Sequence, residues 1–306
     1  TTTTTKVTRK SREKPPEPIE TKTIDELRRI ELIGKGAQSS VYKVARDEYL
    51  ALKEIDMPDP EEEEEKNDEF SNAFVKMKKL LQEIEIINHL DHPNIIKGYG
   101  ICFGDESHLP SILIEYCPKN LNEAIKDMDD IKRVTTVFEI CLAMSAVHEA
   151  HIIHRNLKPE NILIDCEDHV KISDFGMSRL EDFEMCMSSK TAGVGSLKFK
   201  APEVLNESTS YNEKVDVYSF GVILYFILTR GSFPKINIID IGLGKKAQIP
   251  KCVNELSRNL INQCWSTDPD DRPSFSELVE IIKENKFKLI DGVEKEITYI
   301  VQFLSL

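Results

Sequence analysis

Short runs of apolar and β-branched residues characterise the chain between about residues 25 and 116. The runs lie at residues 30–33, 41–44, 49–52, 95–103 and 111–116. Glycine-rich or charged segments separate them, which is typical of short strands joined by turns. The pattern therefore predicts a small β-sheet in the first part of the chain.

One amphipathic helix is predicted inside this β-rich region, because apolar residues recur there at three- and four-residue spacing. These residues are Phe70, Phe74, Met77, Leu81, Ile84 and Ile87. The sequence HPN at 92–94 ends the pattern. Five consecutive glutamates at 61–65 precede the helix, and like charges at this density predict a solvated loop. A docking site for a basic partner is the alternative.

The remainder of the chain has mainly helical periodicity. The longest candidate helices are residues 131–150, 214–229, 253–265 and 275–284. Prolines at positions 202, 234, 250 and 273 mark breaks between these segments. A small β-rich part followed by a larger helical part predicts an α+β fold, and no internal repeat is visible.

The two ends of the chain differ from the segments between them. Residues 1–24 are rich in Thr, Lys, Glu and Pro and carry too little apolar surface to order, so we expect a disordered tail. Residues 286–306 form a C-terminal extension of uncertain role. One face of a helix there would carry Ile297, Ile300, Val301 and Leu304.

Composition narrows the classes of partner. The net charge of −13 over 306 residues argues against non-specific binding to nucleic acid or to an anionic membrane. The longest apolar run, residues 221–228, is too short to cross a bilayer, and the start of the chain lacks a signal-peptide pattern. The seven cysteines include no CxxC pair, so we expect a reducing compartment, the cytoplasm.

A glycine-containing turn lies between the first two predicted strands. Residues 34–41 read GKGAQSSV and follow the pattern G-x-G-x-x-G-x-V, except that Ser39 replaces the third glycine. Glycine has no Cβ, so the backbone at Gly34 and Gly36 can approach phosphate closely. Taken alone, the pattern fits a plain hairpin turn equally well.

A lysine on a predicted strand offers a second phosphate contact. Lys53 would clamp phosphate oxygens if it pointed into a cleft, and a carboxylate would have to stabilise its buried charge. Glu83, on the predicted amphipathic helix, is the natural partner. Each of the two residues, taken alone, is also consistent with an exposed charge.

Three further motifs lead to a family. Residues 154–161 read HRNLKPEN, residues 174–176 read DFG, and residues 201–203 read APE. Together with the glycine turn and Lys53, they occur in the order and at the spacing of eukaryotic protein kinases. The chain therefore resembles this family from the glycine turn through Arg272. The resemblance implies a bilobal fold with a β-sheet lobe over 25–116 and a helical lobe over 117–285.

The resemblance also implies ATP and magnesium as ligands, with an unknown protein substrate and no nucleic acid or membrane insertion. ATP would contact Ile33, Gly34, Gly36, Ser39, Val41, Ala51, Lys53, Glu83, Glu115 and Cys117. Magnesium would be bound by Asn161 and Asp174 through hard oxygen ligands. Asn156 and Lys158 occupy catalytic positions. Asp216 would anchor the catalytic loop, and Glu203 would pair with Arg272.

The subclass signals are mixed. Lys158, two residues after the base position, and Ser196 resemble serine/threonine kinases. Cys264-Trp265 and Arg272-Pro273 resemble tyrosine kinases and the tyrosine-kinase-like group. Together they indicate a tyrosine-kinase-like serine/threonine kinase, with Ser188, Ser189 and Thr191 as candidate phosphorylation sites that Arg155 would contact.

The main departure from the family is at Asn156, where the family has an aspartate that accepts the substrate proton. An amide has no charge and accepts protons poorly. Three interpretations stay open: a slow kinase, a nucleotide-binding pseudokinase scaffold, or an engineered Asp-to-Asn change. A second departure is Gly98, where the family has a large apolar residue behind the helix of Glu83. The glycine would leave space there and the helix loosely held, unless Tyr99 or Ile101 filled the space after a register shift.

Overall fold

The computed structural model of the chain describes residues 28–35, 39–45, 49–55, 69–102, 110–180, 194–206, 208 and 211–293. The tail at 1–24, the glutamate run, Gly36, the three candidate phosphorylation sites and the apolar face predicted near 297–304 lie outside these residues.

The first lobe is an antiparallel sheet of five strands with one helix. The strands are β1 (Arg28–Lys35), β2 (Ser39–Ala45), β3 (Tyr49–Ile55), β4 (Gly98–Cys102) and β5 (Ser111–Glu115), in the spatial order β1-β2-β3-β5-β4. Helix α1 (Glu69–His89) packs on β4 and β5. Leu50, Leu52 and Leu113 form a small core on one face of the sheet.

The second lobe is mainly helical. Its helices are α2 (Leu121–Ala124), α3 (Asp130–Glu149), α4 (Pro202–Leu205), α5 (Lys214–Leu228), α6 (Ile238–Gly242), α7 (Glu255–Cys264) and α8 (Phe275–Glu284). Short strands complete it: β6 (Lys119–Asn120), β7 (Ile152–Ile153), β8 (Ile162–Ile164), β9 (Val170–Ile172) and β10 (Arg179–Leu180). The predicted α+β fold with two lobes is confirmed.

Side-chain caps begin the helices where the sequence supplies Asx or Ser residues. Asp129 accepts a hydrogen bond from the Lys132 N–H before α3, and Ser274 and Glu277 form a capping box before α8. Such caps satisfy backbone donors that have no partner within the helix. The helices therefore begin within about two residues of the positions that apolar periodicity predicts.

Helix α5 lies at the centre of the helical lobe, and its residues 215–227 are all buried. Gly221 allows close packing here, because a Cβ at this position would lie 2.7 Å from the indole of Trp265. The main core continues past residue 285, where Phe287, Leu289 and Val293 are buried in it. Phe287 packs edge-to-face on Phe138 with ring centroids 4.9 Å apart.

Two side chains of α1 fill the space beside Gly98. A Cβ on this glycine would lie 2.7 Å from Cδ1 of Ile84 and 3.1 Å from Cγ2 of Ile87. A bulge between Gly98 and Gly100 shifts the register of β4 against β5. The missing side chain at Gly98 therefore lets α1 approach β4 closely and leaves no gap behind the helix.

The apolar face predicted for α1 is wrong at Leu81, which is 45% exposed. Ile84 and Ile87 are buried as predicted, and Leu80 and Glu83, which the prediction left out, are buried as well. The buried face includes a charged residue, so apolar periodicity alone assigned its edge incorrectly. Of the helices that the structure describes, none is both long enough and apolar enough to span a membrane.

Candidate active site

Lys53, Glu83 and Asp174 converge where the two lobes meet. Lys53 Nζ lies 2.8 Å from both carboxylate oxygens of Glu83 and 2.9 Å from Oδ1 of Asp174. The side chains of Lys53 and Glu83 are 13% and 4% exposed. Strand β3 supplies the lysine and helix α1 the glutamate. Three residues that are far apart in sequence thus form one ion-pair network.

Burial and charge oppose each other in this network. Burial alone would lower the pKa of Lys53, but the carboxylates of Glu83 and Asp174 outweigh it and raise that pKa well above its usual range. Burial raises the pKa of Glu83, and Lys53 opposes this rise. Burial would also raise the pKa of Asp174, yet the positive charge of Lys53 prevails and holds it at about 2. Asp174 is therefore ionised at neutral pH.

A left-handed backbone turn places Asp174 against Lys53. Its φ is 67°, and it lies two residues after the end of β9 and directly before a single 3₁₀ turn at Phe175–Met177. Phe175 is fully buried, with its ring centroid 4.9 Å from that of His154. A Cβ at Gly176 would lie 3.3 Å from Oε2 of Glu83, so glycine permits this close approach of α1.

Helix α5 holds the segment 154–161 through Asp216. The fully buried carboxylate of Asp216 accepts hydrogen bonds from the backbone N–H groups of His154 and Arg155, each at 2.8 Å. His148 Nε2 lies 3.0 Å from the same carboxylate. Burial would raise the pKa of Asp216, but the hydrogen bond of His148 and nearby positive charge lower it.

Asn156 contacts Asp174 directly. Its Nδ2 donates to Oδ2 of Asp174 at 2.6 Å. Nδ2 of Asn161 donates to the same Oδ2 at 3.1 Å and to the backbone oxygen of Asn156 at 2.7 Å. An ionised carboxylate has no proton to give, so both amides must present their N–H groups to it. Lys53, Asn156 and Asn161 together surround Asp174 with donors.

Asn161 and Asp174 also have the donor chemistry for a magnesium site. Within the described ranges, no three His, Cys, Asp or Glu side chains form a metal-binding group. Magnesium commonly takes only one or two protein oxygens and completes its shell with phosphate and water. The carboxylate of Asp174 and the amide group of Asn161, whose Nδ2 lies 3.1 Å from Oδ2 of Asp174, together supply oxygen ligands of this kind.

An apolar wall lies beside this polar cluster. Ala51 is 3% exposed and pairs across the sheet with the buried Ile114. Val41, opposite Lys53 on β2, is half-buried. At the outer edge, Ile33 is exposed, while Gly34 and Ser39 are half-buried.

The segment after β5 connects the lobes. The carboxylate of Glu115 binds Lys171 at 3.0 Å and accepts from the backbone N–H of Lys97 at 3.3 Å. The side chain of Glu115 therefore serves the connection between the lobes, and its backbone N–H donates to the backbone oxygen of Lys97 at 2.9 Å. Cys117 is buried, and burial raises the pKa of its thiol well above the usual range.

Sequence comparison decides the family. The family described as "Protein kinase domain" matches residues 27–282 of this chain. The chain belongs to the protein kinase domain family. The prediction made from the motifs is confirmed, and the Lys53–Glu83–Asp174 network is the polar centre of the kinase domain.

Several curated kinases are similar to this domain. The mitogen-activated protein kinase kinase kinase dlk-1 of Caenorhabditis briggsae is 37% identical over 241 residues, 73% of this chain and 27% of that protein. The serine/threonine-protein kinase CTR1 of Arabidopsis thaliana is 32% identical over 223 residues, which are 68% of this chain and 27% of that protein. The tyrosine-protein kinase receptor svh-2 of Caenorhabditis elegans is 31% identical over 239 residues, which are 72% of this chain and 22% of that protein. The kinase domain thus spans about a quarter of the length of these relatives.

Other predicted residues of the kinase domain lie around the network. Lys158 is half-buried, and its charge contributes to lowering the pKa of Asp174. The guanidinium of Arg155 lies 5.6 Å from the ring centroid of Tyr211. Glu203 forms a two-pronged ion pair with the buried Arg272, at 2.6 and 2.8 Å.

Two contributors were missed in the sequence. Ser173 donates from both its N–H and its hydroxyl to the backbone oxygen of Asn161, each at 3.0 Å, and so ties the HRNLKPEN segment to the DFG segment. His148 reaches Asp216 from α3. Ser173 adjoins Asp174 in sequence, which was a usable signal, whereas no sequence pattern connects His148 with a residue 68 positions away.

Proposed function

We propose that this kinase domain binds ATP with magnesium between its lobes and transfers the γ-phosphoryl group slowly to serine or threonine of a protein. The observation that carries the proposal is the intact network of Lys53, Glu83 and Asp174, with Asn161 beside it. A pocket that had lost its ligand would not need to keep an ion pair this deeply buried.

The roles follow from the positions of the groups. Lys53, oriented by Glu83, would bind the α- and β-phosphates, and Asn161 and Asp174 would hold magnesium. When bound, magnesium neutralises part of the phosphate charge. Val41 and Ala51 would contact the adenine ring, and the backbone between Glu115 and Cys117 would bind its edge. Ile33, Gly34, Gly36 and Ser39 would form the cover over the nucleotide.

In the proposed reaction, the substrate hydroxyl oxygen bonds to the γ-phosphorus while the bond to the β-phosphate oxygen breaks and ADP leaves. The hydroxyl proton passes to a phosphate oxygen or to water, because Asn156 cannot accept it. Lys158 would stabilise the developing negative charge. The transition state is loose, so the proton can leave late, and positioning retains part of the rate.

The choice of serine or threonine over tyrosine is part of the proposal. It is supported by Lys158 and by relatives such as CTR1. A cytoplasmic location is also proposed, in agreement with the free thiols of the six cysteines within the described ranges.

A catalytically inactive, nucleotide-binding scaffold is the second candidate. The observation that favours it is the hydrogen bond from Asn156 to Asp174. In that contact, the amide at the base position is engaged by Asp174, the residue that would bind magnesium.

Labelled ATP, magnesium and a generic protein acceptor distinguish the two candidates. We expect weak transfer by the wild-type domain, none by Asp174→Ala, and a rate about 10² to 10⁴ times higher for Asn156→Asp. A wild-type domain whose melting temperature rises with ATP, but which shows no transfer before or after the Asn156→Asp change, would support the scaffold. No transfer and no response to ATP would remove both.

A further inference from the structure

Both carboxylate oxygens of Asp174 already accept hydrogen bonds from the protein. Oδ1 accepts from Lys53 at 2.9 Å, and Oδ2 accepts from Asn156 at 2.6 Å and from Asn161 at 3.1 Å. The bond from Asn156 is the shortest of the three. The side chain of Asp174 is nevertheless 32% exposed, so it also faces the space into which a ligand can enter.

An aspartate at position 156 could not make this contact. Its carboxylate would put an oxygen against Oδ2 of Asp174, and two like charges at that distance disfavour each other's ionised form unless a cation lies between them. The amide of Asn156 reverses the sign of the interaction, because it offers a partial positive charge to Oδ2. The side chain that removes the catalytic base therefore also stabilises Asp174 in the absence of a cation.

This arrangement affects the metal in two ways. A cation that binds Oδ2 must compete with the short hydrogen bond from Asn156, which weakens its binding. A triphosphate that enters without a cation meets an Asp174 whose charge is already partly balanced by three donors, which reduces the repulsion between carboxylate and phosphate. Both effects lower the dependence of nucleotide binding on magnesium.

We propose that Asn156 is a positioning residue that takes over part of the magnesium's role at Asp174, so that nucleotide binding by the domain depends less on divalent cations than it would with an aspartate at position 156. This inference rests on the proposed nucleotide binding and concerns its metal requirement. The same side chain, Asn156, would then account both for the missing catalytic base and for the binding of nucleotide without a divalent cation.

The test is the affinity for a non-hydrolysable ATP analogue, measured by isothermal titration calorimetry in excess magnesium and in EDTA. The quantity compared is the ratio of the dissociation constant in EDTA to that in magnesium. We expect the ratio for Asn156→Asp to be at least about tenfold larger than for the wild type. One neighbouring like charge shifts the pKa of an acid by about one unit or more, and we expect a second carboxylate beside Asp174 to strengthen its need for a cation by at least the same factor. Asn156→Ala, which removes the donor and adds no charge, should lie between them.

Asn206→Asp is the matched control. Asn206 is exposed and donates to the backbone oxygen of Gly242 in the helical lobe, outside the pocket, so the same change of charge there should leave the ratio at the wild-type value. Thermal melting of every variant checks folding, and Asn156→Ala carries the test if Asn156→Asp does not fold.

Equal ratios for the wild type, Asn156→Ala and Asn156→Asp would overturn this inference and leave the proposed function standing. A wild-type ratio above that of Asn156→Asp would overturn it as well. If the folded wild-type domain bound the analogue in neither condition, both the inference and the proposed function would be removed.

Discussion

At the scale of single residues, one buried cation organises the pocket. Lys53 contacts two carboxylates that come from different elements, one on α1 and one after β9. Without it, Glu83 and Asp174 would repel each other in a poorly solvated place. The same contact fixes α1 relative to the DFG segment, so an interaction between side chains sets the geometry of the site.

Lys53→Met should therefore destabilise the domain without nucleotide. The substitution leaves two carboxylates with one partner fewer, and we expect the free energy of unfolding to fall by about 1–3 kcal/mol, the usual cost of a buried group left without its partner. Urea unfolding measures this change.

The double variant Lys53→Met/Glu83→Gln is the control for that measurement. Removing the charge of Glu83 should restore part of the lost stability, because the remaining amide needs no counter-charge. A single variant as stable as the wild type would show that the network contributes little to the folded state.

The sequence predicted the pairing of Lys53 with Glu83, because a buried ammonium requires a carboxylate and the resemblance named one. It did not predict the contact between Asn156 and Asp174. The separation of 18 residues carries no periodic signal, and the contact depends on the left-handed turn at Asp174. That conformation is unusual for a residue other than glycine and is not visible in composition.

At the scale of elements, the position of α1 depends on its packing against β4. Gly98 removes the side chain that would otherwise lie between them, and Ile84 occupies the space. Because α1 carries Glu83, the distance between the helix and the sheet determines whether Glu83 reaches Lys53. A packing change behind the helix should therefore act on the nucleotide pocket.

Gly98→Ala tests this coupling. The new Cβ would meet Cδ1 of Ile84 at 2.7 Å, and overpacking of this kind typically costs about 1–3 kcal/mol. Ile84→Val deletes that same Cδ1 and costs about 0.5–1.5 kcal/mol by itself. We expect Gly98→Ala to cost clearly less in the Ile84→Val background than in the wild type, as measured by chemical unfolding of all four proteins.

If the destabilisation of the double variant Gly98→Ala/Ile84→Val equalled the sum of the two single destabilisations, the helix would move freely to accommodate the new Cβ. In that case the glycine would have no part in holding Glu83.

Elements were the most predictable level of the structure. The periodic pattern over 275–284 coincides with α8, and that over 131–150 lies within one residue of α3. The exception is instructive: Leu81 was assigned to the buried side of α1, yet Glu83 is buried instead. Local periodicity reports where apolar residues recur, and it cannot show that a charged residue will be buried against a partner from another element.

At the scale of the whole molecule, the buried helix α5 supports the site from below. Asp216 accepts the backbone N–H groups of His154 and Arg155 and thereby fixes the start of the HRNLKPEN segment. Arg155 adopts a left-handed φ of 65°, which these hydrogen bonds stabilise. The larger lobe therefore supports the segment that lies against Lys53 and Glu83 of the smaller lobe.

Asp216→Asn should show a characteristic pH dependence. The folded pKa of Asp216 lies below its ordinary value of 3.8, so its contribution to stability is present above that value and is lost as the pH falls through the folded pKa. An amide can accept only one of the two backbone donors well, and the variant should lose about 1–3 kcal/mol at pH 7. The difference from the wild type should shrink below about pH 4, as measured by denaturant unfolding across pH.

Asp129→Asn is the control for this prediction. Asp129 caps α3 by accepting from the Lys132 N–H, and asparagine caps about as well, so this variant should have a stability close to that of the wild type at pH 7. A constant difference between wild type and Asp216→Asn from pH 7 to pH 3 would contradict the assigned ionisation.

The most direct test of the account is calorimetric titration of the folded domain with magnesium and a non-hydrolysable ATP analogue, for the wild type and for Lys53→Met. If Lys53, Glu83, Asn161 and Asp174 form one nucleotide site, the wild type should bind one equivalent with a dissociation constant between about 1 μM and 1 mM, the common range for enzyme substrates. Lys53→Met should bind at least about tenfold more weakly, a loss of about 1.4 kcal/mol or more. A folded wild-type domain that releases no heat of binding, or a Lys53→Met variant that binds as well as the wild type, would contradict it.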